Sequence, residues 1–212
     1  MTRLELQTRI LRQLNDSPTS PIFWSAAEVQ DMIQEGQEIM AEEVRALRKT
    51  AYVPKRDGTQ LYTMQTFAPD VMAPYRLWDM DLSRRLEVIT MAELDADRER
   101  WLEVTGDQPF WWYPAGWTWF GVYPATATGG GWFRMDYLAW PTALLDDMSE
   151  PEWPEPDHDG LVLYGVYLGL LQQWDIVRAT DLLTQVVARW TDSRARDGIR
   201  RLQASLWQRE GN

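Results

Sequence analysis

Three short stretches carry residue types that could do chemistry. In ELDADRERW, Asp95, Asp97 and Glu99 alternate and offer the hard oxygen donors that calcium takes. An EF-hand loop needs a glycine at its sixth position and a closing glutamate, and neither is present. On a helix these carboxylates diverge, so a solvated helix face is expected. Asp157-His158-Asp159 holds the only histidine. A catalytic base or a metal centre needs more partners than its neighbours supply. Acids there instead complement the start of a helix, with Pro156 suited to an early helical position. Gly129-Gly130-Gly131 is glycine-rich, but no Gly-Lys-Ser/Thr follows, so a flexible loop tip is expected and a phosphate cradle is not. No nucleophile–base pair or metal set can be assembled, so the reading is of a non-enzyme with no cofactor and no metal.

The remaining chemical signal is aromatic. FWWYPAGWTWFGVYP, residues 110–124, opens a region that continues through Trp132, Phe133, Tyr137 and Trp140. Exposed, such rings would stack on sugars or bases. Buried, they would form the core of a small sheet and its contacts with other chains. Trp117, Trp119 and Tyr123 share one side of an extended segment, with Thr118, Phe120 and Val122 on the other. Apolarity on both sides favours burial, since an isolated sheet gives only one face to its own core. Trp117, Trp119, Tyr123, Gly130 and Trp132 are therefore expected at a subunit or tail-side interface. The alternative is a glycan- or ligand-binding module built on residues 110–140.

The totals narrow the classes. With 212 residues the chain suits one domain, or a domain with a sizeable insertion. It has no cysteine, which excludes disulfides and thiolate metal sites and fits assembly in a reducing cytoplasm. The N-terminus shows no apolar signal region, and the longest apolar run, Leu161 to Leu171, is well short of the ~20 residues that cross a bilayer. A net charge of −11 argues against a dedicated nucleic-acid binder. That charge is uneven. Pro141 to Gly160 holds seven acids and no Lys or Arg, whereas Arg189 to Arg209 sets six arginines against two aspartates. In that tail Ile199, Leu202, Leu206 and Trp207 accompany the arginines at helical spacing. The mixture suits docking on an acidic, partly apolar protein partner, better than nucleic acid or membrane.

Several elements must position these residues. Thr2 with Glu5, and Ser25 with Glu28, form capping boxes. The second opens an apolar stripe, Val29, Met32, Ile33, Gly36, Met40, Val44 and Leu47, that predicts a helix to about Lys49. Tyr52–Val53, the Asp57-Gly58 turn signal and Leu61–Met64 read as a hairpin, with Pro54 at an edge or an end. Short strands follow at Tyr75–Met80 and Arg84–Ile89, then a brief helix from Thr90 that ends before Gly106. Residues 117–123 and 133–137 alternate as antiparallel strands joined by a tip at 126–131. Leu161–Gln173 is apolar nearly all round and should be a central helix, broken at Trp174-Asp175 before another stripe to Trp190. The fold class is α+β, mainly α. Helices 1–49 and 161–190 form a bundle, interrupted in the chain by a β-rich, Trp-rich insertion, 50–140, that is an excursion from it. An acidic Pro-rich linker covers 141–160, and 191–212 is a basic helix or tail, resuming after a polar stretch at Thr191–Asp197.

The chain resembles the head-to-tail adaptor (connector or neck) proteins of tailed bacteriophages. The likeness rests on TRILRQLND before FWSAAEVQDMIQEGQEIMAEE, then MAELDADRERWLEVTGDQPFWWYP, WFRMDYLAWP and, after the acidic linker, HDGLVLYGVYLGLLQQWD. It runs from about Thr2 to Trp190. It implies a structural virion protein of the neck. Twelve copies would form a ring below the portal protein, extend the DNA channel without reading the DNA, and receive a downstream neck or tail protein. It implies docking on the portal through C-terminal elements, which agrees with the tail residues Arg194, Arg196, Arg200, Arg201, Leu202, Leu206 and Trp207.

Overall fold

The computed structural model describes residues 1–97 and 100–210, except for the side chains of 97 and 199–210. The chain is mixed α+β, with helix ahead of strand at roughly 41% against 23%. It divides into two compact units, Met1–Leu47 with Pro141–Asn212, and Arg48–Trp140.

The first unit is helical. α1 (Arg3–Gln13) and α2 (Ala26–Val44) both start from complete capping boxes, at Thr2/Glu5 and Ser25/Glu28. Their apolar stripes enter one core together with Trp24. The intervening loop is closed by buried Asp16, whose carboxylate accepts the backbone N–H groups of Ser17, Ile22, Phe23 and Trp24 at 2.8–3.1 Å. α2 ends at Val44, not Lys49. Arg45 turns left-handed at φ 55°, and from Arg48 the chain is already strand. Helix-compatible Arg48 and Lys49 are drawn into sheet pairing, a tertiary override of local propensity.

α4 (His158–Gln172) contacts α1, α2 and α5 (Ile176–Glu210), and a helix with neighbours on several sides has little use for a polar face. Gly165 and Gly169 bring α1 close. A Cβ at either would lie 2.6 Å from Ile10 Cδ1 or Leu14 Cδ1, so even alanine would overpack this seam. Left-handed Trp174 ends the α4 segment, and Asp175 accepts the Arg178 N–H to start α5. α5 then runs 35 residues, passing straight through the polar stretch expected to interrupt it. The stretch is polar because it meets a polar partner: buried Ser193 donates to Asp157 Oδ2 at 2.9 Å, and Arg196 pairs with the same carboxylate.

The second unit holds two four-stranded sheets. One has the order β1 (Arg48–Pro54), β10 (Trp132–Ala139), β3 (Val71–Asp79), β4 (Arg84–Arg85). The other has the order β2 (Leu61–Thr63), β8 (Trp119–Tyr123), β7 (Trp111–Pro114), β5 (Glu87–Val88), with β5 parallel to β7. A short parallel pair joins β6 (Thr105–Gly106) to β9 (Ala125–Thr126). Both main sheets contribute to one core, where the rings of Tyr62, Phe120 and Phe133 meet with centroids 5.3–6.5 Å apart.

This arrangement overturns two expected hairpins. Val53 and Tyr62 face the same core from opposite sheets, so β1 and β2 part after the Asp57-Gly58 turn instead of pairing. β8 and β10 likewise lie in different sheets, with 126–131 as a crossover. A period-2 pattern is satisfied equally by a hairpin and by a crossover between facing sheets. Arg84–Ile89 is split for the same reason. β4 pairs in one sheet and β5 in the other, with fully buried Leu86 between them. α3 (Met91–Asp97) starts from the Thr90–Glu93 cap, and a separate 3-10 turn, Trp101–Glu103, follows left-handed Arg100.

Acid should weaken both units. Asp16 is held below the ordinary aspartate range by the Ile22 N–H and its three companions, against burial. Burial also opposes ionisation of Asp70 and Asp136, but Lys49 and Tyr137 overcome it at Asp70, and Arg134, Thr50 and Arg76 at Asp136. For a lowered carboxyl pKa, stability is complete above the unfolded value of about 4 and is lost as pH falls through the folded value. His158 acts in the same direction. Burial depresses its pKa, so the unfolded chain takes the proton first and stability declines below about pH 6.5. Thermal melts should show a gentle fall from about pH 6.5 and a steep one below about pH 4; a level midpoint down to pH 3 would refute this assignment.

Candidate interaction surfaces

Two of the residues that could have carried chemistry, His158 and Asp95, have structural partners. His158 is buried, with Nδ1 2.9 Å from the Met1 amino group and Nε2 2.8 Å from the Trp153 carbonyl. Asp95 accepts the Trp101 indole N–H at 2.6 Å, while the Asp97 side chain and Glu99 lie outside the described residues. Among the described residues no three His, Asp or Glu side chains converge as a metal site.

The glycine loop is anchored, not a free tip. Gly131 (φ 80°) accepts the Lys55 N–H at its carbonyl, and its missing side chain makes room for the Asp81 carboxylate. Asp81 belongs to a cluster around Lys55, whose ammonium lies 2.6 Å from Asp79 and 2.5 Å from Asp81 and 5.2 Å from the Phe133 ring centroid.

The aromatic region splits in two. Trp112, Phe120, Phe133 and Tyr137 lie in the core between the sheets. On the other side of β7 and β8, Tyr113 and Tyr123 pack with Leu94 and Trp101. The Tyr113 ring occupies the space where a side chain at Gly121 would stand. Tyr123, expected at an interface, is thus core, stacked on Trp111 at 5.9 Å. Trp117, Trp119 and Trp132 are exposed by 82%, 46% and 50%, and Gly130 is exposed beside them in sequence. Trp119 and Trp132 stand on strands of different sheets.

Among the tail residues, Arg194 is exposed and 3.7 Å from Glu43, and Arg196 is engaged with Asp157. The side chains of Arg200, Arg201, Leu202, Leu206 and Trp207 lie outside the described residues. Arg194 also lines a cleft of about 390 Å³ in the helical unit, with Ile39 and Glu43 of α2, Tyr164 of α4, and Val187 and Trp190 of α5. Burial first, and then the hydrogen bond donated to Glu35, raises the pKa of the Tyr164 phenol.

One surface escaped the sequence reading. Across the sheet of β1, β10, β3 and β4, Tyr52 is opposite Arg134, Arg134 opposite Trp78, and Trp78 opposite Arg85. In the adjacent row Thr50, Asp136 and Arg76 align, and buried Asp136 accepts from Thr50, Arg134 and Arg76. Arg48 lies 5.1 Å from the Tyr75 ring centroid, and Arg76 and Arg134 about 6 Å from Trp78. The signal was present as alternation, Arg48-x-Thr50-x-Tyr52 and Trp132-x-Arg134-x-Asp136, but only the strand order brings the arginines together.

The two units thus expose large apolar side chains and a cationic sheet face. Comparison with curated proteins gave no match. The family model described as SU10 adaptor protein matches residues 1–211. The chain therefore belongs to the SU10 adaptor family of phage head-to-tail adaptors, a family whose role is structural.

Proposed function

We propose that this adaptor assembles as a ring, with twelve copies below the portal, continuing the DNA channel and receiving the next neck or tail protein. The observation that carries the reading is the exposed apolar surface on a whole-chain member of this family. Trp117, Trp119 and Trp132 on one unit, and Phe23, Leu145 and Trp174 on the other, stand in water in the single chain. A monomer gains nothing from such exposure, and neighbours in an assembly bury it. The net charge of −11 per copy suits a conduit that DNA passes without sticking. Portal contact falls to the C-terminal end of α5, where Leu202, Leu206 and Trp207 accompany Arg200 and Arg201 at helical spacing. Negative-stain imaging of the full chain mixed with its portal tests this. A second ring of density under the portal is expected, and bare portal at saturating chain would overturn the reading.

A further inference from the structure

Within a chain of net charge −11, the outer face of the β1–β10–β3–β4 sheet is an exception. Arg48, Arg76, Arg85 and Arg134 share it with Tyr52 and Trp78, against one carboxylate, Asp136, which Arg76 and Arg134 already hold. Among the described residues no carboxylate pairs with Arg48 or Arg85. Tyr52 and both of these arginines are exposed. The face is cationic and aromatic, and its charge is unmatched.

A surface of complementary chemistry lies on the same chain. In Leu145-Asp146-Asp147-Met148-Ser149-Glu150, Leu145 and Met148 are 79% and 74% exposed, and the three acids are exposed with them. The turn is rigid. Asp146 accepts the Met148 N–H at 3.0 Å, and Ser149 Oγ accepts the Asp146 N–H at 3.3 Å. The start of α1 ties it down, through Arg3 N–H to the Ser149 carbonyl at 2.8 Å and the Arg3–Asp147 pair at 2.5 Å. Two apolar side chains flanked by carboxylates are thus held outward, so docking has little loop entropy to overcome.

We propose that the Leu145–Glu150 turn of one copy docks on the arginine–aromatic face of a second copy. The apolar side chains would cover Tyr52 and Trp78, and Asp146 and Glu150 would answer Arg48 and Arg85, Asp147 being held by Arg3. The two surfaces differ, so the contact is head-to-tail, the type that closes into rings. This inference rests on the ring reading, and supplies it with a subunit contact.

The absence of cysteine makes the test direct. Full-length Met148→Cys and Tyr52→Cys chains are mixed in equal amounts, assembled on portal, imaged and oxidised. Both positions are exposed, so neither change disturbs a core. Heterodisulfides should exceed either homodisulfide by about tenfold, the ratio that corresponds to about 1.4 kcal/mol. Arg48→Glu with Arg85→Glu should remove most of that excess, and Glu150→Lys should restore part of it. Rings without a heterodisulfide excess would sink this contact and leave the ring reading standing. An absence of rings would sink both.

Discussion

Replacing Lys55 by alanine should lower the stability of the strand-rich unit by about 3–5 kcal/mol, the cost of breaking a buried ion pair from one side. Asp79 is fully buried at 0% exposure, and its Oδ1 accepts the Lys55 ammonium together with the N–H groups of Asp81 and Leu82 at 3.0 and 3.1 Å. Oδ2 has no partner. Without the ammonium, the carboxylate would stay in the core with two backbone donors and no countercharge. The double variant Lys55→Ala, Asp79→Asn should recover part of the loss, because no buried charge is then left unpaired. Urea unfolding followed by tryptophan fluorescence reads both variants. A single-variant loss under about 1 kcal/mol would put the cluster among ion pairs of surface strength. The effect should reach function, since Lys55 follows β1 and bonds Gly131 just ahead of β10. Those strands carry Tyr52 and Arg134 of the proposed docking face.

The same cluster marks where sequence reading stops. Caps and apolar stripes are local, and Thr2/Glu5, Ser25/Glu28 and the Val29–Val44 face could be read directly from spacing. Alternation in 133–137 likewise indicated a strand. Which strand pairs with which is a long-range choice. Tyr52 lies opposite Arg134, 82 positions on, because Val53, Tyr62, Phe120 and Phe133 must share one core. The hairpin readings failed at that step, and the arginine face stayed hidden with them. Lys55 is likewise brought to Asp79 and Asp81 only by the strand order, with no local spacing to link it to them. The end of α2 was misplaced because Arg48 and Lys49 suit a helix by themselves, and only pairing with Leu138 and Tyr137 makes them strand.

Truncation after Gly198 should abolish portal binding while leaving the helical unit folded. The two properties separate because α5 serves both over different lengths. Ala179, Val186 and Trp190 are buried within the unit, and Ser193 and Arg196 bond Asp157, which is itself buried beside the start of α4. A chain ending at Gly198 keeps all of these contacts. A chain ending at Trp190 loses Ser193 and Arg196 and leaves the Asp157 carboxylate buried without them, so it should melt lower than the longer truncation. The docking role assigned to Arg200, Arg201, Leu202, Leu206 and Trp207 lies wholly in the removed segment. Charge and apolar contributions can then be divided in the full chain. Arg200→Gln with Arg201→Gln should weaken portal binding most at low salt, because a charge–charge attraction between surfaces is screened as salt rises. Leu206→Ser with Trp207→Ser should weaken it at every salt concentration, because apolar burial is not screened. Circular dichroism establishes the fold of each variant and cosedimentation with portal reads binding. Full binding by the chain ending at Gly198, with its melting point unchanged, would remove the C-terminal segment from the interface and move portal contact to the other exposed apolar surfaces.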